Sequence, residues 1–98
     1  MTLETIRPDT LIPFGDDWAQ PNGSEVREML KLCNLTGSEA AALVGVKDGR
    51  TVRKWTSFDP VAVAEAKTAG KKHNMTPIPF AAWAILAERA GLGMIWKK

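Results

Sequence analysis

Residues 36–55, TGSEAAALVGVKDGRTVRKW, constrain the fold more than any other stretch of the chain. Thr36-Gly37-Ser38-Glu39 has the T-x-x-E form of a capping box, in which hydroxyl and carboxylate each satisfy a backbone N–H at a helix start. A helix therefore begins here, and Gly45, which tolerates a positive φ, ends it. Asp48 can cap a further helix reaching about Thr56. The first of the pair carries Ala40, Ala41 and Ala42, small enough to let another helix approach closely. Val46 can plug the core beneath the turn. The result is two short helices joined by a tight turn.

The second helix of the pair has two unlike sides. Val52 and Trp55 lie three residues apart and share a buried face. Arg50, Thr51, Arg53 and Lys54 are then left largely on the exposed faces. The charge distribution agrees. Residues 1–45 hold three basic residues (Arg7, Arg27, Lys31) and seven acidic ones (Glu4, Asp9, Asp16, Asp17, Glu25, Glu28, Glu39), net −4. Residues 46–73 hold seven basic residues (Lys47, Arg50, Arg53, Lys54, Lys67, Lys71, Lys72) against Asp48, Asp59 and Glu65, net +4. A basic centre beside an acidic arm suggests a surface that faces a polyanion.

The rest of the chain must supply the packing. Residues 1–23 contain Pro8, Pro13 and Pro21, a density that opposes a long helix, and are expected to form an extended arm pinned by Ile12, Phe14 and Trp18. A helix is expected over 25–33, capped by Ser24, with Val26, Met29, Leu30 and Cys33 on one face and Asn34 at its left-handed end. Cys33 is then a core residue. Residues 57–77 are expected to be a loop insertion in which VAVAEA is a strand or a helical turn, and the whole a wing-like hairpin, a dimer element or a mobile basic loop. His73 within it is expected to be a partly exposed polar residue, not a ligand or catalyst, and Lys71 and Lys72 are candidate phosphate contacts. A last helix is expected over 79–90, starting at Pro79 and stopped by Gly91. Phe80, Trp83, Ala84 and Ala87 mark one face, and Ile85 and Leu86 extend the apolar character around it. Residues 92–96, LGMIW, form a further apolar patch and a possible short strand.

Several function classes find little support. A chain of 98 residues, 45% of them hydrophobic, suits one globular domain. No apolar run approaches the roughly 20 residues of a membrane span, and no signal-peptide pattern opens the chain, so a cytoplasmic location is expected. One cysteine and one histidine make a poor zinc set. There is no phosphate-binding glycine loop and no paired nucleophile and base, so neither an enzyme, a cofactor nor a small-molecule ligand is expected.

With VREMLKLCNLTGSEAAALVGVKDGRTVRKW followed by PIPFAAWAILAERAG, the chain resembles the small Cro- and repressor-like (lambda-repressor-like, Xre-type) helix-turn-helix regulators of phages and mobile elements. Its turn is one residue longer than the family's, and residues 57–77 are inserted. The resemblance implies a mainly α domain of four to five helices over 24–98, behind an arm over 1–23. It also implies sequence-specific binding to double-stranded DNA by a homodimeric repressor at an inverted-repeat operator. On that footing, Arg50, Thr51 and Arg53 address base edges, with Gly49 at the start of their helix. Lys47, Lys54, Lys71 and Lys72 contact phosphates, together with the helix start at Thr36, Gly37 and Ser38. Ile85, Leu86, Leu92, Met94, Ile95 and Trp96 within 78–98 are the candidate dimerisation residues. The other reading is a protein-interaction module, such as an antitoxin or assembly adaptor, on the same fold.

Overall fold

The computed structural model describes residues 6–15, 17–72 and 75–95. Among the described residues, five α-helices follow the arm: α1 (Gly23–Cys33), α2 (Gly37–Val44), α3 (Gly49–Thr56), α4 (Pro60–Ala69) and α5 (Phe80–Arg89). A 3-10 turn, Pro8–Thr10, interrupts the described part of the arm. No strand occurs among the described residues, so the expected C-terminal strand is absent over 92–95.

The helix ends follow from local chemistry. Asn22 caps α1: its side chain accepts the Glu25 N–H at 2.9 Å, and Glu25 Oε1 accepts the Asn22 N–H at 2.9 Å. The expected cap, Ser24, is instead the second residue of the helix. Asn34 ends α1 with φ 58, and Thr36 and Glu39 form the reciprocal capping box of α2. Gly45 closes α2 with φ 82, a conformation that costs glycine little. Asp48 caps α3 by accepting the Arg50 N–H at 2.9 Å.

Residues 57–77 depart from expectation. They hold α4, a helix in place of a wing or loop. Asp59 caps it by accepting the Val61 N–H at 3.0 Å, Pro60 occupies its first turn, and Gly70 ends it with φ 70. The alternating apolar pattern of VAVAEA hid it, because alternation tracks a half-buried strand whereas α4 buries no residue fully.

The core lies where α1, α2, α3 and α5 meet. It contains Val26, Met29 and Cys33 from α1, Ala40 and Ala41 from α2, and Val52 and Trp55 from α3. Ala82, Trp83, Ala84, Leu86 and Ala87 enter from α5, and Ile6, Ile78 and Ile95 from the flanking segments. The Cys33 thiol donates to the Leu86 carbonyl at 3.1 Å, tying α1 to α5, and burial raises its pKa. Two of the expected dimer residues are therefore core residues. Leu86 is fully buried and Ile95 nearly so, because α5 and the turn after it fold back onto the chain's own interior. Leu92 is half-buried against the same core, and Trp96 lies outside the described residues.

The arm is bound to this core by polar as well as apolar contacts. Ile6 and Thr10 are buried, whereas Phe14, expected to be an anchor, is two-thirds exposed. Its ring still touches those of Trp18 and Phe80 at centroid separations of 5.7 and 5.4 Å. The Thr10 carbonyl accepts both indole N–H groups, Trp18 at 2.8 Å and Trp83 at 2.7 Å. Glu25, 1% exposed, receives the arm's strongest contact. Its carboxylate accepts the Arg7 backbone N–H (2.7 Å), Nε (2.9 Å) and Nη2 (2.8 Å). Burial pushes this carboxyl up, but the bonds from Arg7 and Asn22 outweigh it and hold its pKa below the ordinary value.

Candidate nucleic-acid interface

α3 is braced at both ends. At its start, Gly49 sits against the first turn of α2: a side chain there would place its Cβ 3.3 Å from Ser38 Oγ and 3.4 Å from the Ser38 nitrogen. At its end, the start of α1 closes in. A Cβ on Gly23 would lie 2.2 Å from the Thr56 carbonyl oxygen, so only glycine fits without movement. The Gly23 N–H donates to the Phe58 carbonyl at 2.7 Å. The Arg27 guanidinium donates to the Thr56 carbonyl and, at 3.1 Å, to Ser24 Oγ. A cation at the C-terminal carbonyls complements the α3 dipole. Gly23 and Arg27 were not marked by the sequence as part of this device. The pairing of Gly23 with Thr56 is long-range, and no local pattern announces it.

Bracing fixes which side of α3 is displayed. Val52 and Trp55 are each 1% exposed, and they anchor the inward face. Arg50, Arg53, Lys54 and Ser57 are exposed on the opposite side, while Thr51 is half-buried at its flank. Lys47, exposed in the turn between α2 and α3, adds a cation at the helix entrance. The cationic outer face expected from the sequence is thus present for Arg50, Arg53 and Lys54. Lys71 and Lys72 are exposed beyond the end of α4, on the segment that returns to α3 at Met75 and Thr76. There the Thr76 N–H reaches the Lys54 carbonyl at 3.4 Å. His73 lies outside the described residues.

The start of α2 carries the expected capping box. The Thr36 N–H donates to Glu39 Oε1 at 2.9 Å, and the Thr36 hydroxyl accepts the Glu39 N–H at 3.2 Å. These bonds lower the Glu39 pKa. Thr36 is a cap. Gly37 is half-buried where the first turns of α2 and α3 meet, and Gly49 serves the same junction. Ser38 is exposed and places its hydroxyl beside the start of α3.

A second surface lies on the α2–α5 side. Leu43 and Ile85 are about two-fifths exposed, and they line one shallow hollow with Glu88 and Arg89. Met94, on the turn after α5, is also exposed. No helix among the described residues is long and apolar enough to cross a membrane, and those residues hold no His, Cys, Asp and Glu cluster suited to a metal ion.

Fold and surface together define a small protein, helical throughout its described elements, that holds a cationic helix toward solvent. Its relatives give that description a family. The chain is 45% identical over 95 residues to a transcriptional repressor protein KorC of Escherichia coli, covering 95% of this chain and 92% of that protein. It is 42% identical over 97 residues to another Escherichia coli transcriptional repressor protein KorC, covering 97% of this chain and 88% of that one. No family model matches the chain. At this identity and coverage, the chain belongs to the KorC family of transcriptional repressors.

Proposed function

We propose that the chain represses transcription by occupying duplex DNA as a homodimer, with α2, the 45–48 turn and α3 acting as a lambda-repressor-like helix-turn-helix. The observation that carries this reading is α3 itself, a helix anchored inward by Val52 and Trp55 with Arg50, Arg53 and Lys54 on its outer face. An α-helix fits the major groove of B-DNA, where arginine can bond guanine O6 and N7 with two N–H groups. Arg50 and Arg53 take that role, and Thr51 reaches a base edge from the flank. Lys47, Lys54, Lys71 and Lys72 contact phosphates, which position the helix without reading sequence. Bracing by Gly49, Gly23 and Arg27 holds the reading side chains in register.

The dimer surface in this reading is the exposed hollow of Leu43 and Ile85, with the exposed Met94 after α5 as a further apolar contribution. Glu88 and Arg89 at its edge give a two-fold pair opposite charges to exchange. Two copies of α3 then meet successive major grooves about 34–36 Å apart, and the operator is an inverted repeat. Repression follows from occlusion of the promoter, and the protein works in the cytoplasm. The test is a titration of fluorescent duplex at increasing salt. Specific binding whose affinity falls steeply with salt supports the reading. Failure to retain any duplex at about 50 mM salt, a concentration at which basic surfaces bind DNA well, contradicts it.

A further inference from the structure

The outer face of α3 is not flat. A groove of about 370 Å³ runs along it, lined by Arg50, Arg53, Lys54 and Ser57 on one side and Met75 on the other. Met75 belongs to the segment between α4 and α5, far from α3 in sequence. The backbone bond from the Thr76 N–H to the Lys54 carbonyl fixes its place beside the helix. It is half-buried and is the apolar member of a lining otherwise made of cations and a hydroxyl.

We propose that Met75 is a specificity-determining residue of the DNA-reading surface, forming the apolar wall that receives a thymine 5-methyl group beside the base pairs read by Arg50 and Arg53. The inference rests on the DNA-binding reading above. The thymine methyl is the apolar group that base pairs present in the major groove, and it is recognised by apolar contact. Arginine and lysine cannot supply such a contact with their charged ends. An unbranched, polarisable methionine adapts to a methyl group at variable depth. The same groove places hydrogen-bond donors and this apolar wall a few side chains apart, which suits neighbouring guanine and thymine in one half-site.

The experiment uses the full chain and a duplex selected by it from a random pool. Each thymine of the half-site is replaced in turn by uracil, which removes only the methyl group. For the wild type, one position per half-site loses about fourfold in affinity, the effect of exposing one buried methyl-sized group. Met75→Ala binds the thymine duplex about fourfold more weakly per half-site and loses nothing further on the uracil change. Met75→Leu retains the methyl dependence. Met75→Gln, which keeps the chain length, serves as the second methyl-blind variant, and thermal melting of each variant reports its fold. The proposal is overturned if folded Met75→Ala or Met75→Gln shows the same uracil penalty as wild type, or if no thymine shows one. If the wild type cannot distinguish its selected duplex from a scrambled one, the DNA-reading surface itself is refuted and this proposal with it.

Discussion

Glu25 is the sharpest stability test in the molecule. Each of its carboxylate oxygens accepts two hydrogen bonds, from three Arg7 donors and the Asn22 N–H, while the side chain is 1% exposed. Glu25→Gln keeps the shape but removes the charge and turns an amide N–H₂ toward those donors. Breaking a buried ion pair costs about 3–5 kcal/mol. The Arg7 side chain is half exposed, which discounts that figure to about 2–4 kcal/mol. For a domain of this size that corresponds to a fall in melting temperature of roughly 10–25 °C. The pH dependence carries the sign. The folded Glu25 pKa is lowered from its ordinary 4.5, so its contribution is complete above that value and is lost as pH falls through the lower folded value. Urea unfolding followed by circular dichroism at pH 7 and at successive steps below 4.5 measures both. The stability gap between wild type and Glu25→Gln should be widest at pH 7 and narrow on acidification. A gap under about 1 kcal/mol at pH 7, or one that does not change with pH, would refute the assignment of Glu25 as the ion-paired anchor of the arm.

Other outcomes follow from the same structure. Gly23→Ala forces its Cβ onto the Thr56 carbonyl and should lower stability by about 1–3 kcal/mol or more in the same unfolding assay, where an unchanged midpoint would contradict the close approach of α1 to α3. Arg50→Ala should cost about 1–3 kcal/mol of affinity for the selected duplex and relax the preference at one base pair. Lys54→Ala should weaken binding evenly across sequences and reduce the salt slope by about 1, as gel-shift titrations would show. The Cys33 thiol, buried with a raised pKa, should react with a thiol reagent only after denaturation; rapid labelling of native protein would place it at the surface. Ile85→Lys should shift the sedimentation of a dimer toward the monomer while Leu43→Ala does so more weakly, and a distribution untouched by either would remove this patch as the interface.

The parts of the fold written in neighbouring residues were legible. The T-x-x-E box at Thr36, the glycine turn at 45 and the aspartate cap at 48 set the α2–α3 pair in advance, because each acts within one helical turn. The inward spacing of Val52 and Trp55 likewise exposed the cationic side of α3. α4 was missed although Asp59-Pro60 and Gly70 are capping signals of the same kind. The apolar alternation between them outweighed the punctuation, and a helix that buries no residue has no strong stripe to detect. Contacts between distant segments were not legible. The approach of Gly23 to Thr56, the insertion of Arg7 onto Glu25 and the return of Met75 to α3 join residues that no periodicity relates. Leu86 and Ile95 showed the converse limit. Their apolar character is plain in the sequence, but whether it serves the chain's own core or a second copy depends on how α5 is rotated and where the following turn folds.

The central claim is that the outer face of α3 reads duplex DNA. Selection from a random duplex pool with the purified protein, followed by sequencing of the retained strands, tests it most directly. The account predicts an enriched inverted repeat whose half-sites lie about one helical turn apart, and loss of the enrichment with Arg50→Ala. Retention of DNA with no enriched motif, or the same motif selected by Arg50→Ala, would contradict it.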